Sequence, residues 1–428
     1  MINVPSTFRF PVLVIIYAMS SFQLAAAAEE PAKTWPQWRG PTRDGQVPSD
    51  NWPERLSDER LTKLWRVDLE GPSFSGPIVT DKIVFVTETR DEKTEHVTAL
   101  NRATGKKMWE ASWPGAMTVS PIGQAAGSWI RSTPAFDEGR LYVLGMCDLL
   151  VCLDAAAGKE IWRLDCPKEF NSDVPDFGGV SSPLVHGDAV FVQAGGGFVK
   201  ADKITGKVLW RVLEKGPGKS QNGAFSSPIL ARIGGEDRML VQTREELAAV
   251  DPGDGKTIWK FATPSLFGMS ILTPTVYGDG IFTSSMAGTS LFAAAKQKNV
   301  DKEAAPGEVL WKNSLIGYMA SPVVYKDHVY LHLRNERLAC IDLKTGKRAW
   351  ASEPLGEHAS MVAQKDRILH LNDNGRLRLI RATPKEFDVL GQAQVIPEKG
   401  NWGWAHLAIT NCDLFVRDLK GVTAFRWK

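Results

Sequence analysis

The stretch VSSPLVHGDAVFVQAGGGFVKADKITGKVLWR, residues 180–211, contains a pattern that returns throughout the chain. It opens with Ser-Ser-Pro, continues as short apolar runs separated by glycine-containing turns, and ends in an Asp-x-x-x-Gly turn followed by Trp210. The prolines of equivalent openings stand 45 to 57 residues apart, which leaves room for four short strands in each copy. A period of this length, built from short strands and glycine turns, is typical of a β-propeller blade.

The number of copies predicts the number of blades. Six complete openings carry a Ser or Thr shortly before a proline, at Pro77, Pro134, Pro183, Pro228, Pro274 and Pro322. Two degenerate openings, near Ala359 and Ala405, bring the count to eight. We therefore predict an all-β fold, an eight-bladed β-propeller of four-stranded antiparallel blades.

Interactions between residues close in sequence explain the pattern in the second half of each copy. Five copies run from an Asp or Asn to a Trp, over residues 101–109, 154–162, 202–210, 251–259 and 342–350. The Asp or Asn side chain accepts backbone hydrogen bonds in a tight turn, and the glycine supplies a positive φ. Each Trp ring is expected to dock on the small residue ten positions earlier, such as Ala99 for Trp109. We interpret these tryptophans as packing residues rather than as ligand contacts.

The two ends of the chain are expected to share one blade. The last copy stops soon after Ala424 and lacks the strand that carries the Trp. A strand of that kind, residues 64–69, stands before the first opening. We predict that it completes the eighth blade with Trp65 near Ala424, which closes the ring and leaves no exposed sheet edge.

The first 28 residues have the features of a secretory signal peptide, namely Arg9, an apolar run over residues 10–17, and a run of alanines before Glu29. We expect export to the periplasm or the extracellular space, with no transmembrane segment after cleavage. No cysteine lies near the alanines, so a lipoprotein is not expected. Residues 29–60 are predicted to form an extension that packs on a single propeller domain over residues 61–428. The tryptophans expected to make this contact are Trp35, Trp38 and Trp52.

Charge and cysteine content narrow the function classes. The 51 basic and 49 acidic residues give a net charge of +2, which offers no electrostatic case for a nucleic acid partner. The five cysteines are odd in number and lack the spacing of a metal site. Cys152 and Cys340 are interpreted as small core residues, and a disulfide between Cys147 and Cys166 is left open. We expect a monomer.

The repeat resembles the pyrroloquinoline-quinone-type (PQQ-type) propeller repeat, whose pattern is Ala-x-Asp-x-x-Thr-Gly-x-x-x-Trp. Residues 249–259, AVDPGDGKTIW, depart from this pattern only at the Thr. The start WPQWRGPTRDG, residues 35–45, also resembles secreted bacterial propellers described as similar to the outer-membrane assembly scaffold BamB. The resemblance covers nearly the whole chain after the signal and implies the propeller fold.

The same resemblance implies two kinds of function. Quinone-dependent dehydrogenases with this repeat hold PQQ against a Trp floor, under a disulfide between adjacent cysteines and beside calcium bound by Glu, Asn and Asp. This chain has no adjacent cysteines, and no such ligand set can be aligned with it. We therefore expect no cofactor, and keep PQQ and calcium only as an alternative. The scaffold members imply a binding role without catalysis.

Loops that lead into the innermost strands of a propeller gather around the channel on one face. Here they carry aromatic and charged side chains, which suit a recognition surface. The predicted binding face consists of Trp129, Arg131, Phe177, Asn222, Phe225, Tyr318, His358, Trp402, Trp404 and His406, and Met269 stands in the same ring. Alternatively, the aromatics plug the channel, Arg131 pairs with Asp173 or Asp176, and His406 is a core histidine. We assign no catalytic, cofactor-binding or metal-binding residue.

These observations favour an exported propeller without catalytic activity that binds a protein, a peptide or an envelope component through this face. Two alternatives stay open. The first is a quinone-dependent oxidoreductase with a reduced site. The second is a carbohydrate-binding or carbohydrate-active propeller, for which an aromatic platform on one face is the required feature.

Overall fold

The computed structural model describes Met1 and residues 33–48, 52–121, 123, 127–215, 223–299, 302–317, 319–397 and 402–427. Apart from Met1, the predicted signal peptide lies outside these residues. Within them, eight four-stranded sheets follow one another along the chain, and neighbouring strands are antiparallel. The prediction of an all-β, eight-bladed propeller is confirmed.

The strands of each blade are given from the channel outward. Blades 1 and 2 contain Ile78–Val79, Ile83–Arg90, Thr94–Asn101 and Lys107–Pro114, then Ala135–Asp137, Arg140–Leu144, Leu149–Asp154 and Glu160–Asp165. Blades 3 and 4 contain Leu184–His186, Ala189–Ala194, Gly197–Asp202 and Val208–Val212, then Ile229–Ile233, Glu236–Gln242, Glu246–Val250 and Thr257–Ala262. Blades 5 and 6 contain Thr275–Tyr277, Gly280–Ser285, Gly288–Ala293 and Val309–Asn313, then Val323–Tyr325, His328–His332, Arg337–Asp342 and Arg348–Pro354. Blades 7 and 8 contain Ala359–Gln364, Arg367–Asn372, Arg376–Arg381 and Asp388–Gln394, then Ala408–Thr410, Asp413–Asp418, Gly421–Trp427 and Leu61–Asp68.

Three smaller elements lie outside the blades. The insertion in blade 5 forms a hairpin of Gln297–Asn299 and Lys302–Ala304. A short α-helix, Cys166–Phe170, follows blade 2, and a 3-10 helix, Asp58–Arg60, precedes the first strand. None of the helices in the described ranges is long and apolar enough to span a bilayer.

Strands from both ends of the chain close the ring. Leu61–Asp68 pairs with Gly421–Trp427, and Trp65 stands opposite Ala424. The strand predicted over residues 64–69 therefore occupies the predicted place, and it begins three residues earlier. Because main-chain hydrogen bonds join the two ends, the last blade has four strands like the others.

Each outer-strand Trp joins its own blade to the next one. Trp109 stands opposite Ala99 in blade 1, as predicted. Its indole nitrogen donates to the carbonyl oxygen of Ala155 in blade 2 at 3.1 Å. The same kind of donation to the following blade is made by Trp65, Trp162, Trp210, Trp311 and Trp350. These tryptophans thus hold neighbouring blades together, in addition to packing within one blade.

The turn before each Trp has the predicted geometry. Asp202 Oδ1 accepts hydrogen bonds from the backbone nitrogens of Ile204 and Thr205, at 3.0 and 2.7 Å. Gly206 follows with a φ of 73°. The ring of Trp162 from the preceding blade covers this glycine, so that a Cβ there would lie 2.6 Å from the ring. Glycine is therefore required at this position for two reasons, its backbone conformation and the close approach of the indole.

The N-terminal extension passes through the channel. Its main chain pairs with the innermost strand of blade 1 at Val79 and with that of blade 7 at Ala363. Its tryptophans Trp35, Trp38 and Trp52 are all buried. The extension therefore belongs to the core of the ring and joins blades that are distant in sequence.

Two buried arginines hold this extension in place. Arg43 donates to three carbonyl oxygens at the openings of blades 3 and 4, those of Ser182, Pro183 and Pro228, at 3.0, 2.7 and 3.0 Å. Arg39 donates to the carbonyl oxygen of Pro322 at the opening of blade 6. Burial lowers the pKa of Arg39 to about 10 and that of Arg43, beside it, to about 9. Several backbone acceptors offset the cost of burying these charges.

All five cysteines are free thiols. The disulfide left open between Cys147 and Cys166 is therefore not formed. Cys152 and Cys340 are buried and stand opposite Trp162 and Trp350, which agrees with their interpretation as small core residues.

Candidate binding site

A ring of hydroxyl groups surrounds the channel where the blades open. Thr133 Oγ1 accepts a hydrogen bond from the backbone nitrogen of Gly76 at 2.9 Å, and Ser182 Oγ accepts one from that of Thr133 at 3.0 Å. Ser227 Oγ in turn accepts from the nitrogen of Ser182 at 2.9 Å. The recurring Ser or Thr of the openings thus joins one blade to the next, which gives these residues a structural role.

A cavity of 670 Å³ lies at the mouth of the channel. Hydroxyl residues of the openings line it, together with two kinds of loop. One kind leads into the innermost strands, and the other joins the second strand of a blade to the third. The volume falls within the range of about 300–1,000 Å³ that is usual for ligand pockets. We call this space the mouth cavity.

The N-terminal extension supplies the floor of the mouth cavity through Trp38. The guanidinium groups of Arg39 and Arg43 each lie 5.5 Å from the centre of the Trp38 ring. These contacts stabilise the position of the ring. A separate cavity of 220 Å³, lined by both arginines, lies further along the innermost strands. The extension therefore divides the channel and closes the mouth cavity from below.

Most of the cavity wall is apolar. Blades 3 to 6 and their loops contribute Phe177, Val180, Phe225, Phe267, Met269, Ile271, Met286 and Met319. Phe267 is 80% exposed. Methionine side chains adapt to ligands of different shape, and exposed apolar surface beside a cavity is typical of interaction sites.

Three of the described residues that line the mouth cavity are charged, namely Arg131, Arg244 and Asp176. Arg131 donates through Nη2 to the carbonyl oxygen of Gly127. Arg244 donates through Nη2 to the carbonyl oxygen of Phe267 at 2.9 Å, and its guanidinium lies 5.0 Å from the centre of the Phe225 ring. Burial lowers the pKa of both arginines, that of Arg131 to about 10. The Arg131 side chain is therefore charged at neutral pH.

The hydrogen-bonding capacity of these arginines is only partly used. Nε of Arg131 and Nη1 of Arg244 are buried without an acceptor among the residues that the structure describes. Within the same residues, the alternative pairing of Arg131 with Asp173 or Asp176 is not formed, since its hydrogen-bond acceptor is a carbonyl oxygen. Buried donors without acceptors are costly, so an acceptor bound in the cavity would be favoured.

The ten residues predicted for the binding face fall into three groups. Five line the mouth cavity, namely Arg131, Phe177, Phe225, Trp404 and His406. Three pack beside it, namely Trp129, His358 and Trp402. Asn222 and Tyr318 lie outside the described residues.

The aromatic cluster beside the cavity is centred on Phe74. The rings of Trp129, Trp402 and Trp404 lie 5.2, 5.6 and 4.9 Å from it. His358 stacks on Trp404 with ring centres 4.0 Å apart. This half of the aromatic ring, over the openings of blades 7, 8, 1 and 2, is packed against itself, whereas the part over blades 3 to 6 borders open space.

His406 occupies the degenerate opening of blade 8. Its Nδ1 lies 3.2 Å from Ser360 Oγ, and its ring packs edge-on against Trp38 at 5.3 Å between centres. Burial and the nearby charge of Arg39 lower its pKa to about 3. The side chain is therefore neutral at physiological pH, and its contacts agree with the structural alternative for this residue.

Several lining residues are not predicted from the sequence, among them Trp38, Phe74, Arg244, Phe267, Met286 and Met319. Arg244 and Met286 lie between the second and third strands of blades 4 and 5. In a four-stranded antiparallel blade these loops emerge on the same face as the openings, so the strand count itself is a signal that could identify them. Trp38 belongs to a segment without a periodic pattern, and no comparable signal places its ring in the channel.

The mouth cavity does not fit the quinone and calcium site implied by the repeat. Trp38 provides an aromatic floor, but the chain has no pair of adjacent cysteines. Asp176 is the only carboxylate among the described lining residues. Across the described ranges, no group of three or more His, Cys, Asp or Glu side chains is arranged to hold a metal ion. The residues present thus lack the ligand set that such a calcium site requires.

Comparison with known proteins agrees with the repeat. The sequence profile of the family described as outer membrane protein assembly factor BamB matches residues 58–127 and 93–352. A protein of that name from Nitrosomonas eutropha is 24% identical over 225 residues, which cover 51% of this chain and 51% of that protein. The chain thus spans about half the length of this relative.

Solved structures share the propeller fold. BamB from Moraxella catarrhalis has a TM-score of 0.60 at 15% identity, over 86% of this chain and 98% of that one. The quinohemoprotein alcohol dehydrogenase from Comamonas testosteroni has a TM-score of 0.62 at 15% identity, over 92% and 80%. At such identities the likeness shows the fold alone, and function has to be argued from the site.

Proposed function

We propose that this chain, which belongs to the propeller family described as outer membrane protein assembly factor BamB, is a scaffold without catalytic activity that binds a polypeptide partner in the mouth of its channel. The observation that carries this proposal is the 670 Å³ apolar cavity that opens beside the exposed Phe267. Aromatic and methionine side chains supply large contact areas and tolerate partners of varied shape. Such a surface suits a scaffold better than it suits a site for one small polar substrate.

The family supports a polypeptide as the partner. The relative from Nitrosomonas eutropha is named for the assembly of outer membrane proteins. A role in the envelope also requires export, and we propose that residues 1–28 direct it. Fractionation of cells that produce the full chain or a chain without residues 2–28 tests this part. We expect only the full chain outside the cytoplasm, and equal distribution of the two chains would contradict it.

Selection from a displayed peptide library tests the binding role. The full chain is compared with the variant Phe267→Ser at the cavity rim and with the control Leu209→Ser. Leu209 is 50% exposed on an outer strand of blade 3, away from the mouth. We expect the selected peptides to bind the wild type and the control alike and to bind Phe267→Ser about tenfold more weakly, about 1.4 kcal/mol. Equal binding to all three proteins, or no selected peptide, would contradict the proposal.

A further inference from the structure

The two arginines of the mouth cavity differ from those partly buried arginines of this protein that pair with a carboxylate. Arg66 forms an ion pair with Asp418 at 2.8 Å, and Arg90 forms one with Glu88 at 2.5 Å. In the described part of the chain, Arg131 and Arg244 instead bond to backbone carbonyl oxygens, as the contacts above specify. A charge in an apolar setting without a carboxylate partner is costly unless a ligand supplies one.

The guanidinium groups have donors to spare for such a ligand. Arg131 Nε and Arg244 Nη1 have no acceptor among the described residues. Guanidinium donors form a planar fork that matches the two oxygens of a carboxylate. The chemistry of these two side chains therefore indicates an anionic, planar acceptor group.

The charge around the cavity has the sign that this acceptor requires. Among the described lining residues, the two arginines and Asp176 give a net charge of +1. Arg39 and Arg43 lie beneath the Trp38 floor and add positive charge. The carboxylates of Glu245 and Asp176 both act on Arg244 electrostatically, whereas burial alone shifts the pKa of Arg131, which leaves Arg131 as the stronger anchor for an added anion.

The remaining surface indicates what carries the anionic group. Phe177, Phe225 and Met269 would pack against an apolar side chain next to the carboxylate. The apolar surface also continues beyond the cavity, since Leu266 is 44% and Phe267 80% exposed. A small free acid would use the cavity and leave this rim unused, whereas a chain that enters by its end would use both.

We propose that the mouth cavity captures the C-terminus of a polypeptide. The terminal carboxylate binds Arg131 and Arg244, the last side chain is apolar and packs on the aromatic wall, and the preceding residues cross the rim at Phe267. Recognition of chain ends by fixed donors beside an apolar pocket is an established mode of peptide binding. The inference rests on the proposed function, because it states which part of the partner enters the cavity.

Calorimetric titration of the full chain with matched peptides tests the inference. The probe is N-acetyl-Gly-Ser-Ala-Leu-Leu-Phe with a free carboxylate, and its control is the same peptide as the C-terminal amide. We expect the acid to bind at least about tenfold more tightly than the amide. Equal affinities would overturn carboxylate capture and would leave the broader proposal of polypeptide binding standing.

Variants assign the effect to the arginine. Arg131→Gln is expected to reduce the preference for the acid over the amide to below about threefold, and Arg131→Lys should retain part of the preference. Arg232→Gln is the matched control, because this side chain is 72% exposed and forms only an exposed ion pair. An unchanged preference in Arg131→Gln would overturn the assignment, and an unaltered thermal unfolding transition shows that the variant is folded.

A free acid distinguishes the two sources of a carboxylate. Phenylpropionic acid should bind the wild type at least about tenfold more weakly than the peptide acid, because it lacks the contacts at the rim. Equal affinity would overturn the commitment to a chain end. If neither peptide bound at millimolar concentration, terminal capture would be wrong, and the library selection would decide separately whether any polypeptide binds.

Discussion

The outer part of the ring and the mouth of the channel are both built from the repeated copies, but only the outer part uses the same residue in most of them. On the outside, six tryptophans each donate to a backbone carbonyl of the next blade. At the mouth, equivalent loops present Arg131, Phe177, Phe225, Met269 and Met319. The Trp that recurs in the copies thus joins neighbouring blades, whereas the loop residues that differ between copies together form one composite surface.

The N-terminal extension connects these two regions, and removal of its central contact is expected to have the largest effect. Arg43→Met would leave three buried carbonyl oxygens at two blade openings without their donor. Each unsatisfied group costs about 1–3 kcal/mol, so unfolding in urea should reveal a loss of at least about 3 kcal/mol. Arg55→Met, at an exposed position of the same extension, should change stability by less than about 0.5 kcal/mol. Similar losses in both variants would mean that the channel contacts do not stabilise the ring.

A pair of glycines separates backbone strain from the contact between blades. Gly206 and Gly187 both have positive φ, 73° and 57°. A Cβ at Gly206 would lie 2.6 Å from the Trp162 ring, whereas one at Gly187 meets nothing within 4 Å. We expect Gly187→Ala to cost about 1 kcal/mol and Gly206→Ala at least about 1 kcal/mol more, measured by thermal unfolding. Equal losses would contradict the interpretation of Trp162 as a staple that needs the glycine.

The fold follows from the sequence because its determinants are local and repeated. Residues 249–259 are an example, since the turn, the glycine and Trp259 lie within eleven positions. The position of Arg43 could not be predicted in this way. Its partners are carbonyl oxygens, which every residue has, and they lie 139 to 185 residues away. Half of the predicted binding face lines the mouth cavity, because strand order places the loops but does not decide which aromatic side chains pack on one another.

A buried histidine pair between blades 6 and 7 is expected to have an intermediate, pH-dependent effect. His332 Nδ1 lies 3.1 Å from His370 Nε2. Burial lowers the pKa of His332 to about 4. The unfolded chain binds a proton below pH ~6.5 that the folded chain does not bind until pH ~4, so stability falls as the pH falls through this window. For one such group, the free energy of unfolding falls by about 1.4 kcal/mol for each pH unit.

The dependence of the free energy of unfolding on pH is measured by urea unfolding between pH 7 and 4.5. Burial raises the pKa of Glu95 to about 7, so this carboxyl acts in the opposite sense and stabilises the protein as the pH falls. The contribution of Glu95 is the same in the wild type and in His332→Gln, so it cancels when the two are compared. The variant should lose less stability than the wild type as the pH falls. His186→Gln, at the exposed end of the strand Leu184–His186, serves as the control and should follow the wild type. Parallel curves for all three proteins would refute the assignment.

The smallest change in stability is expected at the mouth itself. Phe267 is 80% exposed, so Phe267→Ser should alter the free energy of unfolding by less than about 0.5 kcal/mol. The same substitution is expected to weaken peptide binding about tenfold. Such a result would mean that Phe267 contributes to binding and not to stability, in contrast to Trp162, which joins two blades. A loss of stability as large as that of Gly206→Ala would instead make the mouth part of the structural framework.

The central claim is that binding takes place where the copies differ. Photo-cross-linking tests it most directly, with the hexapeptide acid carrying a benzophenone group in place of its last side chain and the attachment sites read by mass spectrometry. We predict cross-links to the cavity wall, at residues 266–271, Met286 and Met319. Cross-links confined to the outer strands, such as Val208–Val212 and Thr257–Ala262, would contradict it.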